Sequence, residues 1–177
     1  LYSYYFFYSM DINLFDENIE FVIKTCRDKF VIVKGGNDKV NRLAVSSRKV
    51  DILLDPHVGY RKDFMHNRNS GLNQVLCKLA RDNNVAIGFS FSNILHSKDY
   101  REFGRIMQNI KLCRKYKIKM IVGNFAKSKL DVRELSDVYS LFKVLGMTGK
   151  ELKESGEFVA SRLEYKKGYV SKGIRKL

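Results

Sequence analysis

The segment from Ser70 to Asn124 constrains the fold of this chain more than any other part of the sequence. Its first residue, Ser70, can cap a helix. Apolar residues then follow at helical spacing, namely Leu72, Val75, Leu76, Leu79 and Ala80. The apolar run 85–91 follows and is typical of a strand covered on both faces. A second amphipathic helix over 97–116 leads to another strand over 118–122. This order of elements predicts a parallel βαβ unit.

The second helix of this unit is predicted to have one apolar side and one basic side. The apolar residues at helical spacing are Tyr100, Phe103, Met107, Ile110 and Cys113, and the polar ones elsewhere on the helix are Arg101, Arg105, Gln108, Lys111 and Lys115. From Phe103 to Leu130 there are several lysines and arginines but no aspartate or glutamate. We therefore expect a basic face on an α/β domain.

The charge of the whole chain points to a polyanionic partner. The sequence has 33 Lys and Arg against 19 Asp and Glu, which gives a net charge of +14. Nucleic acid is favoured over an anionic membrane, because no segment approaches the roughly 18 to 20 consecutive apolar residues of a membrane span.

The compartment is predicted from the cysteines and from the first residues. Cys26, Cys77 and Cys113 are widely separated and are expected to be reduced core residues of a cytoplasmic protein. Residues 1–8 are aromatic, without the basic leader and small-residue cleavage site of a signal peptide, and predict a buried strand.

The remaining periodicities predict one α/β domain over residues 1–165 and a basic tail over 166–177. Further strands are expected at 2–10, 30–33 and 50–54, and further helices at 15–27 and around 39–44. An Asp131/Glu134 capping pattern predicts a helix over 131–145. A Thr148/Glu151 capping box follows, and a last helix is predicted to start at Ser155 and run toward 163. Residues 60–69 are predicted to form an exposed loop. The sheet is expected either to close like a barrel or to be open and doubly wound.

A series of short motifs in this order resembles archaeal ribonuclease P protein component 3. The motifs are Lys34-Gly35-Gly36 with Lys39 and Asn41-Arg42, then Lys49 to Leu53, Gly71 to Ala80, Asn109 to Lys117, Asp131-Val132-Arg133 and Leu145-Gly146-Met147. The resemblance spans about residues 30 to 147.

The resemblance implies a TIM-barrel-like protein of the polymerase-and-histidinol-phosphatase superfamily shape, incomplete at its N-terminus, with no catalytic residue, cofactor or metal of its own. In that family the catalytic RNA removes the 5′ leader of precursor tRNA with bound Mg²⁺. The protein shapes this RNA together with a small ferredoxin-like partner subunit, and meets precursor tRNA only indirectly. Gln74 stands where some relatives have a histidine, so no chemical role is assigned to it.

A possible phosphate-binding turn lies at Gly35 and Gly36, between a strand and a helix that places Lys39 and Arg42 nearby. Two alternatives remain open at this turn. The glycines also fit a tight turn without a ligand, and Arg42 also fits an ion pair with a neighbouring carboxylate, such as that of Asp51 or Asp55.

A metal-dependent phosphoesterase of the same barrel superfamily is the alternative function. Asp11, Asp55, His57, Ser90 and Asn124 follow predicted strands, at the end where α/β barrels have their active sites. Asp11, Asp55 and His57 would be the metal ligands. We favour no metal site, because the histidines are scattered in loops and no His-x-His is present.

The favoured function is RNA binding by the cations, with a general basic nucleic-acid binder as a further alternative. Tyr60 and Tyr116 are candidates for stacking on unpaired bases. The predicted RNA-binding residues are Lys39, Arg42, Arg61, Arg68, Lys78, Arg81, Arg105, Lys111, Arg114, Lys115 and Lys119.

Overall fold

The computed structural model describes residues 30–59, 62–126, 128–167, 169–171 and 174–175. The predicted strand 2–10 and helix 15–27, together with Asp11, Cys26, Tyr60 and Arg61, lie outside these residues. The elements in chain order are β1 (Ile32–Lys34), α1 (Asp38–Ser46), β2 (Ile52–Leu54), α2 (Gln74–Asp82), β3 (Ala86–Ser90), α3 (Phe91–His96), α4 (Arg101–Tyr116), β4 (Met120–Gly123), a 3₁₀ turn (Lys129–Asp131), α5 (Leu135–Val144), α6 (Gly149–Lys167), β5 (Tyr169–Ser171) and β6 (Ile174–Arg175).

Strands β1 to β4 form a parallel sheet in which spatial order follows chain order. Ile32 is opposite Ile52, and Ile52 is in turn opposite Ala86. The predicted parallel α/β class is therefore confirmed. Helices α1, α2 and α4, which connect these strands, all contribute to one core on one face of the sheet. Strands in chain order with all their connecting helices on one face follow the pattern of a barrel wall, whereas the connecting helices of a doubly wound sheet lie on both faces.

The strand residues alternate between two cores, as the pleat of a strand requires. Val33, Leu53 and Phe89 point toward the connecting helices. Ile32, Ile52 and Ile121 point to the other face, where Val159 of α6 covers them. The strands are mainly apolar because both faces of the sheet are buried, as the apolar runs predict, and the polar residues Lys34 and Ser90 stand at strand ends.

The predicted cap of α2 is wrong. The helix begins at Gln74 and its cap is Asn73, whose Oδ1 accepts the Leu76 N–H at 2.9 Å. Gly71 has a φ of 74°, which breaks a helix from Ser70. Val75, predicted on the inner side, is 50% exposed.

The inner face of α4 also differs from the prediction. Tyr100, Phe103 and Met107 are exposed, the first of them by 81%. The buried face includes Arg105 and Asn109 instead. Both of these polar side chains have hydrogen-bond partners in the segment 62–70, so this side of the helix faces that segment and is buried, while its largest apolar residues face solvent.

Helix α6 is continuous through Ser155, where a separate last helix was predicted to start. The capping box at its beginning is confirmed, because Thr148 Oγ1 accepts the Glu151 N–H at 3.3 Å and Glu151 accepts the Thr148 N–H at 2.7 Å. The Ser155 hydroxyl is buried and accepts the Val122 N–H of β4. The Asp131 pattern forms a 3₁₀ turn rather than the start of α5. Within the predicted tail, β5 and β6 pair in antiparallel fashion.

Cys77 and Cys113 are buried and not disulfide-bonded, as predicted. Burial raises the pKa of Cys77 to about 11, so its thiol is protonated at neutral pH. Among the described helices, none is long and apolar enough to cross a membrane.

Candidate nucleic-acid interface

The Gly35–Gly36 turn uses its amides inside the protein. The Gly35 N–H donates to Leu54 O at 2.6 Å, and the Gly36 N–H donates to Asn41 Oδ1 at 3.2 Å. A Cβ on Gly35 would lie 2.7 Å from Pro56 Cα. Both N–H groups therefore already have acceptors inside the protein, which favours the tight-turn alternative.

Helix α1 presents Lys39 and Arg42 to solvent. Neither forms an ion pair with any residue that the structure describes, so the alternative pairing of Arg42 with Asp51 or Asp55 is wrong. Asp51 instead accepts from Arg162 Nε at 3.1 Å, and Asp55 accepts the Ser90 N–H at 2.9 Å. These two cations remain candidates for phosphate contacts.

Arg105 does not belong on the predicted exposed surface. Its side chain is 2% exposed, and its guanidinium lies 3.0 Å from Asp63 Oδ1 and 3.7 Å from Asp99 Oδ2. Burial raises the pKa of Asp63, but the hydrogen bonds from the Asn69 N–H and from Arg105 outweigh it, and the pKa lies below its usual value. Arg105 is therefore an internal tie between α4 and the segment 62–70, which we call the α4 loop.

Two further side chains of α4 hold the α4 loop. Gln108 Nε2 donates to Arg68 O at 3.0 Å, and Asn109 Nδ2 donates to Ser70 O at 2.9 Å. Within the loop, the Phe64 N–H donates to Asn67 O at 2.8 Å. The loop that looks irregular in sequence is thus fixed along one side of the helix.

The fixed loop places Arg68 and Phe64 on the surface. The Arg68 guanidinium lies close over Gly104 of α4, where a Cβ would collide with it. Phe64 is 68% exposed. Arg68 forms no ion pair within the described part of the chain. Sequence analysis did not single out Phe64, although a lone aromatic residue in an otherwise polar and basic loop was a usable signal.

Near the end of α4 and just before β4, two of the cations, Arg114 and Lys119, are paired. Arg114 donates to both oxygens of Glu151 at 2.8 Å and to Gly146 O at 2.7 Å. This hydrogen bond lowers the pKa of Glu151 to about 2. Lys119 lies 2.7 Å from Glu154, whose pKa it lowers. Both acids belong to α6. We call Arg114, Lys119, Glu151 and Glu154 together the α4–α6 junction.

Lys78, Lys111 and Lys115 are exposed and form no ion pair with the described residues. Arg81 pairs with its neighbour Asp82, and both side chains are at least half exposed. Such a pair restrains the guanidinium only weakly. Tyr116 packs against the core as well as lying under Lys115, so its ring is not an open stacking surface.

The described residues of the predicted barrel mouth are engaged inside the protein. Asp55 is 3% exposed, and His57 is fully buried with its ring 6.2 Å from that of Phe89. Asn124 bonds to the backbone of Arg133. No group of three His, Cys, Asp or Glu among the described residues lies close enough to hold a metal ion.

The structure thus divides the predicted RNA-binding residues into three groups. Exposed cations without an ion pair among the described residues are Lys39, Arg42, Arg68, Lys78, Lys111 and Lys115, the paired but exposed ones are Arg81, Arg114 and Lys119, and Arg105 is buried. The first group is spread over α1, the α4 loop, α2 and α4. Because α1 packs on α2 and α2 on α4, these elements form one continuous outer layer.

Comparison with known proteins gives one family by sequence. The family described as RNase P subunit p30 matches residues 22–163. The chain is 35% identical to ribonuclease P protein component 3 of Methanosarcina acetivorans over 83% of this chain and 61% of that protein. It is 36% identical to component 3 of Thermococcus gammatolerans over 71% of this chain and 56% of that protein.

A solved structure shares the fold. A chain in the cryo-EM structure of archaeal ribonuclease P with mature tRNA matches with a TM-score of 0.71 and 23% identity, over 90% of this chain and 67% of that one. The chain spans about three fifths of the length of the first curated relatives it matches. Since the family match covers most of its residues, this chain belongs to the RNase P subunit p30 family.

Proposed function

We propose that this chain acts as a protein subunit of ribonuclease P, which binds and shapes the catalytic RNA that removes the 5′ leader of precursor tRNA. Its family membership and the ribonuclease P named in the relatives and in the matching structure support this proposal. In this proposal the protein is not catalytic by itself. The catalytic RNA supplies the chemistry with its own Mg²⁺, in the cytoplasm.

The observation that carries the proposal is the outer layer of exposed cations without ion pairs among the described residues. They lie on α1, α2 and α4, which pack side by side. Closely spaced phosphates of a folded RNA repel one another, and cations held on a rigid surface reduce that repulsion without needing further metal ions. Contacts of this kind give affinity and salt dependence but little sequence discrimination.

A small ferredoxin-like subunit is the proposed protein partner, and precursor tRNA is met indirectly through the assembled RNA. The partner is inferred from the family alone. Lys39 and Arg42 of α1 and Lys78 of α2 are the first cations to test for RNA contacts, since they form no ion pair with the described residues that would have to break.

The test is precursor tRNA cleavage at low Mg²⁺ concentration. Four samples are compared: this protein alone, the catalytic RNA alone, the RNA with this protein and its ferredoxin-like partner, and the same mixture with a Lys39→Glu/Arg42→Glu variant. We expect cleavage only in the third sample, and weaker cleavage in the fourth that added Mg²⁺ restores.

Three results would contradict the proposal in different ways. Cleavage by the protein alone that stops on metal removal would favour the phosphoesterase alternative, and Asp55→Asn would then abolish it. A complete mixture that is no more active than the RNA alone would remove the subunit role. Binding of unrelated duplexes as tightly as the catalytic RNA at matched salt would favour a general nucleic-acid binder.

A further inference from the structure

The α4 loop and α1 together surround an exposed aromatic ring. Phe64 lines two adjoining cavities, of about 280 Å³ on the side of Arg42, Arg68 and Asn73 and about 620 Å³ on the side of Gly36 and Lys62. We propose that this surface, which we call the Phe64 platform, binds an unpaired RNA nucleotide, with its base stacked on Phe64 and its phosphate held by Arg42 and Arg68. This inference rests on the proposed function and specifies a binding mode for it.

The backbone that carries the Phe64 ring is restrained by hydrogen bonds and an ion pair. Asp63, immediately before Phe64, is tied to the buried Arg105 and accepts the Asn69 N–H at 2.9 Å. The Phe64 N–H is bonded across the loop to Asn67 O. An aromatic side chain that is 68% exposed on a backbone with these restraints gives up little further freedom when a flat ligand covers it.

The charges around the ring favour a nucleic-acid ligand. Arg42 and Arg68 line the smaller cavity, and Lys62 lines the larger one. Among the described residues, Asp38 is the one acid that lines the cavities, and it lines both of them, while the nearby charge of Asp63 is offset by Arg105. We place the phosphate on the Arg42 and Arg68 side, because two guanidinium groups line that cavity against the single described carboxylate, that of Asp38.

The position of Arg68 is itself built into α4. Its guanidinium lies directly over Gly104, where any larger residue would displace it. Its own carbonyl is bonded by Gln108. The cation next to Phe64 is therefore set by the same helix that holds the loop, so base and phosphate would meet groups of fixed relative position.

An unpaired nucleotide fits this surface better than a duplex or a protein. A base in a duplex has both of its faces covered by neighbouring bases, whereas an unpaired base can stack on an aromatic ring, and such stacking tolerates any base. The described lining carries three cations, Arg42, Arg68 and Lys62, against the single acid Asp38, and this excess of positive charge complements the phosphates of RNA.

The absence of tryptophan from the sequence makes a direct optical test possible. In the full 177-residue chain, Phe64→Trp introduces a single tryptophan at the platform. We expect its fluorescence to be quenched by single-stranded hexamers of uridylate or adenylate, and not by an abasic hexamer with the same phosphates. Met65→Trp is the matched control, because Met65 is the next residue, 93% exposed, and lines neither cavity.

Affinity gives a second, independent measurement. Phe64→Ala should weaken hexamer binding about tenfold, as expected for loss of one base–aromatic stack, while Phe64→Tyr retains it and Met65→Ala leaves it unchanged. Binding of duplex RNA of the same length should not respond to Phe64→Ala. Equal thermal unfolding of the variants establishes that the chain remains folded.

The outcomes separate this inference from the proposed function. If Phe64→Ala has no effect and Phe64→Trp is not quenched, while Arg42→Glu/Arg68→Glu weakens RNA binding, the platform is wrong and the RNA-binding subunit stands. If Phe64→Ala spares RNA binding but weakens association with a protein partner, the platform is a protein contact and the inference is overturned. Failure of the reconstituted cleavage assay would instead count against the proposed function itself.

Discussion

The surface formed by α1 and the α4 loop differs from the α4–α6 junction in whether its cations form ion pairs. On α1, Lys39 and Arg42 project into solvent and form no ion pair with the described residues. At the junction, Arg114 and Lys119 each contact a glutamate of α6. Both regions are strongly basic in sequence. The cations of the first are uncompensated among the described residues, whereas at the junction α6 neutralises Arg114 and Lys119 and leaves the adjacent Lys115 unpaired.

The difference shows that local charge density in a sequence does not give charge density on a surface. The stretch from Phe103 to Leu130 contains no acid, yet its cations Arg114 and Lys119 are compensated by Glu151 and Glu154, more than thirty residues away along the chain. The region that first suggested a basic face is thus the one where α6 neutralises part of it. RNA contacts are expected to concentrate on the other region.

The largest expected effect concerns the buried ion pair that supports the α4 loop. Arg105→Leu leaves Asp63 and Asp99 without their shared cation, and should lower the free energy of unfolding by about 3 kcal/mol. Arg101→Leu is the matched control on the same helix, because Arg101 also pairs with Asp99 but is 51% exposed. Urea denaturation measures both, and we expect the control to change by less than about 0.5 kcal/mol. Equal losses would show that Arg105 is not an internal tie.

The second prediction compares the two basic regions directly. Lys39→Gln/Arg42→Gln should weaken binding of the catalytic RNA and reduce the slope of log affinity against log salt by about 1 for each phosphate that the variant no longer neutralises. Arg114→Gln/Lys119→Gln removes the same charge but should change RNA affinity much less, because those cations already have carboxylate partners. Filter-binding titrations at several salt concentrations provide the measurement. A larger loss of affinity from the second pair would reverse the comparison.

The smallest expected effect is the acid sensitivity of the α4–α6 junction. Because its hydrogen bond with Arg114 lowers the pKa of Glu151 from 4.5 to about 2, the folded state favours the ionised carboxylate. The resulting stability is present above pH 4.5 and is lost as the pH falls toward 2. Arg114 is 45% exposed, so screening by solvent limits the effect to about 1 kcal/mol.

Glu151→Gln tests that pH dependence. The variant should be less stable than the parent at pH 7 and should lose less further stability between about pH 5 and pH 3, measured by urea denaturation at each pH. Glu157→Gln is a suitable control, because Glu157 forms only a long, exposed pair with Lys153. Parallel pH profiles for the parent and Glu151→Gln would show that the Arg114 pair does not contribute.

The parts of the fold that were predictable are those set by neighbouring residues. The strand around Ile87, the capping box of Thr148 and Glu151, and the amphipathic α2 all follow from patterns within a few residues. The family was also recognisable, because its motifs occur in order along the chain. None of these features requires knowledge of which distant segment lies opposite.

The errors share a physical cause, which is a distant partner. Asn41 of α1, a polar residue, is fully buried and donates to both Pro56 O and Gly71 O. Arg105 was expected in solvent and is held by Asp63. A polar side chain with bonding partners can be buried at low cost, and periodicity alone gives no sign of such partners.

The sequence by itself determined the parallel α/β class, the family and the presence of excess positive charge, because these depend on local patterns and on composition. Only the tertiary structure decided which cations remain uncompensated and that Phe64 lies exposed among them. The reason is that both depend on contacts between segments far apart in the chain, namely α4 with its loop and α4 with α6.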